Sequence, residues 1–367
     1  MLLPERAAAH ILINSREIGD AQPIRLWRKR DQAALFEFSI PRKIRIRNRG
    51  LEYELRQGDL VELWYGLGTG QQRIFYGYLP STLSDLSISE SDSLVRVVAY
   101  DFIGQLQDRY ITLGDSSSSF LNPVGQEIGG LVATLAKTVM DSQYGSSGSV
   151  LVGGVKGTNP QQFVTTEKTI YGTKTAKGFI DDYTALAFDD TNYPDTPLLY
   201  EYHQRDRTLI WRKELKTTSP PALKLTVGKD AIVGGTIQRM PVYSDSVVST
   251  ADSKVSWTHS DRDTSRRWGG RRFWASSSTK SSFQSDAYES AVRLVELAKH
   301  ERRAFSIIAM RDAFLLYPGD ILFLENGESV GVASGGYRVS EVDIQLSPAP
   351  IAKIVVGEAQ KLLTDYL

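Results

Sequence analysis

Residues 257–274, WTHSDRDTSRRWGGRRFW, gather the side chains best suited to recognition. Arg266-Arg267 and Arg271-Arg272 flank Trp268-Gly269-Gly270, and Phe273 and Trp274 follow at once. Indole buries a large apolar area and guanidinium meets a carboxylate through two parallel hydrogen bonds, so Trp and Arg concentrate where interfaces hold their binding energy. The same side chains can stack on single-stranded nucleic acid, or pack on their own domain as a surface loop. The favoured expectation is a protein interface made by Trp257, Arg266, Arg267, Trp268, Arg271, Arg272 and Trp274. Gly269-Gly270 would bend the backbone so that the two arginine pairs converge on carboxylates of a partner.

Catalytic chemistry has little to build on. The four histidines, His10, His203, His259 and His300, have no second histidine or carboxylate at the spacing of a helical zinc site. His259-Ser260-Asp261 could hold a metal but reads as a polar loop. Asp181-Asp182 and Asp189-Asp190 are sequence neighbours, whereas a glycosidase needs two carboxyls facing each other across a cleft. A nucleophile elbow is not expected, and without cysteine there is no thiol nucleophile, disulfide or thiolate metal site. Two glycine-rich stretches fail as phosphate cradles. The first, 66–70 (GLGTG), leads into a strand where a helix N-terminus is required, so it reads as a hairpin; the second, 153–158 (GGVKGT), lacks the Gly-Lys-Ser/Thr order. The expectation is a non-enzyme with no catalytic residue, no cofactor and no metal.

The elements that must position the Trp/Arg stretch are mostly strands. Val61, Leu63 and Tyr65 alternate with Glu62 and Trp64, and 73–79 and 94–100 are further apolar runs ending in a turn of helix near 111. Shorter strands are expected at 10–13, 24–27 and 34–40, then at 198–202, 208–212 and 222–227, with 203–207 as a hairpin tip. Residues 43–49 (KIRIRNR) place basic residues on alternate positions, as an edge strand guarded by charge or as a contact for an acidic partner. Helical spacing appears at 124–141 (Ile128, Leu131, Val132, Leu135, Val139), 175–188 (Phe179, Ile180, Tyr183) and 286–302 (Ala291, Val292, Val295). Residues 241–285 read as polar and irregular.

The chain has 367 residues, room for two or three domains, and 43 basic against 43 acidic side chains. That balance supplies no global field toward nucleic acid or an anionic membrane, and no apolar run approaches the length of a membrane span. The N-terminus does not read as a signal peptide, and the lack of cysteine suits assembly in a reducing cytoplasm.

One pattern occurs twice. Gly58-Asp59-Leu60-Val61-Glu62-Leu63 is matched by Gly319-Asp320-Ile321-Leu322-Phe323-Leu324, 73–79 by 337–342, and 94–100 by 351–356, at similar gaps. The expected fold is mainly β with some α (α+β), with two similar antiparallel β-barrels, the second split by an insertion. Residues 1–112 would be the first barrel and 113–196 a helix-containing connector. Residues 197–240 with 303–357 would be the second barrel, 241–302 the insertion and 358–367 a tail.

Taken together, these features resemble the baseplate hub proteins of contractile phage tails and related injection systems, the late-control-protein family. The resemblance rests on Gly58-Asp59 with 73–79 and Tyr100-Asp101-Phe102, on the helix and hairpin of 175–212, and on the 286–302 helix followed by Pro318-Gly319-Asp320 and Tyr337-Arg338-Val339. Residues 113–170 and the Trp/Arg stretch lie outside it. It implies a homotrimer whose six barrels form a near-sixfold ring between the tail tube protein and the central spike. Other baseplate subunits would surround that ring, and the tape measure protein and later DNA would pass through its lumen. Such a protein would be assembled in the host cytoplasm and reside in the virion tail, without stable membrane association. The alternatives are a receptor- or carbohydrate-binding tail-tip protein and, less favoured, a cell-wall hydrolase.

Overall fold

The computed structural model describes residues 8–41, 44–45, 52–53, 55–66, 70–80, 87–88, 94–113, 127–144, 151–152, 172–189, 198–239, 242–249, 254, 256–276, 288, 291–292, 295, 303–309, 313–346 and 351–357. Its centre is one 14-stranded sheet built from two runs of strands with the same connectivity. In the first run, Ala8–Ile13 pairs with Leu60–Gly66, which pairs with Gln72–Tyr78, then Leu94–Asp101, Leu35–Pro41 and Gln22–Lys29. In the second, Leu223–Thr226 pairs with Ile321–Glu325, then Gly335–Gln345, Ile351–Gly357, Arg303–Ala309 and Ala231–Arg239. The first ladder is antiparallel in the first unit and parallel in the second, and Leu94–Asp101 is met by both Gln72–Tyr78 and Ser87–Ile88 where Ile351–Gly357 is met by Gly335–Gln345.

The repeat extends to single residues. Tyr100↔Leu35 and Gly357↔Ala304 are equivalent rungs, so Phe36, Phe38 and Ile40 correspond to Phe305, Ile307 and Ala309. All six side chains are buried in one shared core, as are Val97 and Ala99 with their counterparts Ile354 and Val356. Every second side chain of these strands turns to that core, and each fully buried large one contributes about 1.5–3 kcal/mol.

The two Gly-Asp turns are built alike. Gly58 and Gly319 have φ of 82° and 86°. The amide of Gly58 donates to Leu79 O (2.9 Å) and that of Gly319 to Val339 O (2.7 Å). Returning bonds run from Leu79 N to Asp59 O (3.0 Å) and from Val339 N to Asp320 O (2.8 Å). Each aspartate carboxylate accepts the amide three residues earlier, Arg56 N at 2.7 Å and Tyr317 N at 3.0 Å. Only glycine takes that φ cheaply, and Asp closes the turn on itself. At Gly319 a Cβ would also stand 1.9 Å from Glu201 Oε1. Gly319→Ala is therefore expected to destabilise by about 1–3 kcal/mol for the backbone alone, read as a lower urea midpoint.

The units are joined by backbone pairing. Gln22–Lys29 lies antiparallel to Gly335–Gln345, with Trp27↔Asp343 and Leu26↔Ile344 in register. Arg25 holds Asp343 through two bonds of 2.7 Å, and Trp27 Nε1 donates to Glu341 (2.9 Å). The class is α+β and mainly β, as expected. Among the described residues, however, the ladders run through this junction as one sheet, and no ladder closes either unit into a separate barrel.

A second core lies in the connector, where Ile128–Tyr144 and Ala176–Leu186 pack with Phe102, Ile103, Leu106 and Trp211. Thr175 caps the second helix by accepting Gly178 N. The hairpin Leu198–Arg205 and Thr208–Lys213 turns later than expected, at Asp206 (φ 53°), so His203 and Gln204 are buried strand residues instead of a tip. Of the basic stripe only Ile44–Arg45 is described, pairing with Glu52–Tyr53; 145–150 and 358–367 lie outside the described residues. Tyr288, Ala291, Val292 and Val295 of the expected 286–302 helix are helical.

Candidate docking surface and central joint

The segment expected to be irregular is a small sheet. Asp245–Ser249 forms its middle strand, antiparallel to Ser256–Ser260 and parallel to Arg272–Ser276. Ser246, Val247 and Val248 are all buried, although successive residues turn to opposite faces of this strand. A strand covered on both sides carries no period-two signal, which is why the pattern looked irregular. Between the outer strands runs the helix Arg262–Trp268, capped by Asp261, which accepts Thr264 N at 2.7 Å. Gly269 (φ 83°) ends the helix, its amide bonded to Ser265 O.

Opposed residues share a face of a sheet, and the register divides the tryptophans. Trp257 lies opposite Val248, whereas Trp274 lies opposite Val247, on the other face. Trp257, 38% exposed, meets Tyr288 edge-on at 5.7 Å, and on the same face Ser246 Oγ donates to Ala291 O. On that face Tyr288 and Ala291 of its own chain lie against the sheet. Trp274 is 66% exposed, with Arg272 two residues before it on the same face. Arg266, Arg267 and Arg271 are also exposed, while the side chain of Trp268 is outside the described set. Asp245 faces Arg272; its carboxyl is held below the usual range chiefly by a Ser260 hydrogen bond, then by Ser244 and the Arg272 charge. The register thus parts the expected cluster, with Trp257 beside Tyr288 on one face and the more exposed Trp274 beside Arg272 on the other. The outer edge of Arg272–Ser276 has no ladder partner among the described residues.

The other sequence candidates are accounted for locally. Asp181 and Asp182 are paired with Lys177 and Lys174 at 2.6 Å each. GLGTG joins two antiparallel strands, as expected of a hairpin. The spacing Gly327-Glu328-Ser329-Val330-Gly331 does have the Gly-x-Ser-x-Gly form, contrary to expectation. It is a short 3₁₀ turn, and Ser329 Oγ is engaged with Asn326 O at 2.8 Å. Among the described residues no three His, Cys, Asp or Glu side chains gather to hold a metal ion, and no helix is long and apolar enough to cross a membrane.

Sequence reasoning missed the central joint altogether. Arg28, 3% exposed, donates to Phe314 O (2.8 Å), Leu316 O (2.7 Å) and Ile74 O, and lies over the Tyr317 ring. The hairpin Leu198–Arg205 and Thr208–Lys213 supplies Glu201, Arg205 and Arg212. Arg205 and Arg212 reach Asp320 of the second Gly-Asp turn (2.8 and 3.5 Å), and Arg212 also meets Glu201 (3.1 Å). Glu214 binds Arg30 of the first unit and Arg338 of the second (3.1 Å). Burial raises the carboxyl of Glu201 and lowers the guanidinium of Arg28. Burial also pushes Asp101 up to about 7, and pushes His203 down to about 3 with help from Arg212. Three parts of the chain meet here through charge, and the network ties them together.

No protein-family model matches the sequence, and no curated protein matches it. Solved structures do. The chain superimposes on the tail protein from Neisseria meningitidis MC58 with a TM-score of 0.62, at 11% identity over 98% of this chain and 99% of that one. The 43 kDa tail protein of prophage MuSo2 from Shewanella oneidensis gives 0.57, at 13% identity over 98% of both chains. Prophage tail protein gp18 from Listeria monocytogenes EGD-e gives 0.52, at 11% identity over 97% and 95%. The chain has the fold of phage tail proteins along nearly its whole length. The resemblance drawn from the sequence is matched at that level.

Proposed function

We propose that the chain is a structural hub of a phage tail baseplate. Three copies form a ring of six similar units that joins the tail tube to the central spike and lets the tape measure protein and DNA pass. The observation that carries this reading is the internal repeat, two units with one connectivity and one Gly-Asp turn geometry joined in a single sheet. A repeated unit lets a threefold assembly offer a near-sixfold face. The fold shared with three bacterial and prophage tail proteins supports a structural role in a tail. On this reading 1–112 and 197–240 with 303–357 are the ring units, 113–196 is the connector and 241–302 the outer insertion. Sedimentation of the assembled chain tests it: a trimer is expected, and a dimer or hexamer overturns it.

Within that assembly Trp274, Arg266, Arg267, Arg271 and Arg272 dock an acidic surface of another baseplate subunit. Trp257, still 38% exposed, and Trp268 belong to the same proposed contact. Changing the four arginines to Ala is expected to leave the melting midpoint unaltered and to cost about 2–5 kcal/mol of subunit affinity. Unimpaired assembly of that variant would mark the patch as solvated surface.

A further inference from the structure

The internal repeat leaves open in one place an edge that it covers in another. Gln22–Lys29 and Ala231–Arg239 hold equivalent positions, each paired on one side with the next strand of its own unit. On its other side Gln22–Lys29 carries Gly335–Gln345 of the second unit. Ala231–Arg239 carries no strand there among the described residues and ends the sheet, and Ile232 on it is 53% exposed.

The matching edge is also identifiable. In the second unit Asp343 and Ile344 pair with Lys353 and Ala352, and in the first Ser87 and Ile88 pair with Arg96 and Val95 in the same way. The sequences around these rungs agree: 83–88 reads LSDLSI where 339–344 reads VSEVDI, apolar for apolar and Asp85 for Glu341. Ser87–Ile88 is therefore the first unit's counterpart of the strand segment that receives Gln22–Lys29. Among the described residues its outer side is unpaired as well.

We infer that these two edges meet between chains: Ala231–Arg239 of one copy pairs antiparallel with Ser87–Ile88 of the next. At Gln238, past the register shift between Gly234 and Gln238, the register follows the internal junction. Gln238 is the counterpart of Trp27, because Gln238↔Ala304 matches Trp27↔Leu35, and Ser87 is the counterpart of Asp343. Gln238 of one copy thus lies opposite Ser87 of its neighbour. The inference rests on the trimeric hub reading and gives that ring its joint. Such a contact is heterologous, so it propagates from copy to copy until the ring closes. The two kinds of joint differ in charge. Where the internal one has Arg25 bound to Asp343, the joint between copies has Gly234 and Ser87.

The chain has no cysteine, so a pair introduced at Gln238→Cys and Ser87→Cys reports on this contact alone. Opposed residues of an antiparallel pair lie about 4.5–5.5 Å apart at Cα, within disulfide reach. Mild oxidation of the full-length double variant is expected to give covalent trimers, and each single variant none. Trp27→Cys with Asp343→Cys serves as the internal control for oxidation. Backbone amide exchange of the unaltered chain gives a second readout, with residues 231–239 slowing at least tenfold between monomer and trimer. A trimer by sedimentation that neither cross-links nor protects 231–239 overturns this joint and leaves the hub reading standing. A chain that never forms a trimer overturns both.

Discussion

Glu214→Ala is expected to remove about 3–5 kcal/mol of stability, because it takes the carboxylate from between the buried Arg338 and the largely covered Arg30, to which Asp31 and Glu201 make only longer approaches of 3.5 and 3.6 Å. Glu214 bridges Arg30 of the first unit and Arg338 of the second, and its own side chain is 3% exposed. At roughly 2 cal/mol/K of unfolding entropy per residue, that loss lowers the melting midpoint of a chain this long by on the order of 5 °C. Glu214→Gln, which keeps acceptor oxygen but not charge, should fall between. The surface pair Lys174–Asp182, with both side chains far more exposed, provides the contrast. Lys174→Ala is expected to cost no more than about 1 kcal/mol. Equal losses at the two sites would show that the buried network contributes nothing beyond ordinary surface pairing.

Asp101 and His203 should give stability profiles of opposite slope. Burial keeps Asp101 protonated in the folded chain up to about 7, against 3.8 when exposed. Between those values the folded state binds the extra proton, so stability from this group falls as pH rises. Burial, aided by Arg212, keeps His203 neutral down to about 3, against 6.5. There the unfolded state binds the extra proton, so stability is lost as pH falls below 6.5. Each span of about three units corresponds to at most about 4 kcal/mol. Relative to the unaltered chain, Asp101→Asn is expected to gain stability steadily from pH 4 to pH 7. His203→Gln should lose ground over the range from pH 4 to 6.5. Urea midpoints at four pH values measure both, and parallel profiles for the two variants would refute the assignment.

The parts of the fold that were legible in the sequence are those fixed locally. A Gly-Asp turn announces itself because one residue must take a left-handed φ and the next must supply an acceptor. Alternation then carries the strand out of the turn. The counterpart of 73–79 was harder. Hydrogen bonding equates Leu79 with Val339, but the ladder equates Ile88 with Ile344, so the first unit spends extra residues after Leu79. A pattern match cannot see that slip, and it passed over the closer likeness of 83–88 to 339–344. At the candidate surface the exposed arginines were legible by type. The separation of Trp257 from Trp274 was not, since facing depends on the register of two strands against a third. The central joint was hidden for a different reason. Glu201, His203 and Arg205 alternate in a strand like solvated residues, and only the approach of other parts of the chain buries Glu201 and His203 and brings Arg205 to Asp320.

The junction of Gln22–Lys29 with Gly335–Gln345 has a consequence for the order in which the protein can be made. Arg25 and Asp343 are 318 residues apart in the chain. At the usual 5–20 residues per second, the first unit waits roughly 15–60 s on the ribosome before its edge strand meets its partner. For all of that time Gln22–Lys29 is an open edge, the kind of template to which another nascent chain can add. Arg25 and Lys29 put positive charge along it, which disfavours pairing of like copies until Asp343 and Glu341 emerge to neutralise it. The residues that lock the finished joint thus also guard the unfinished one.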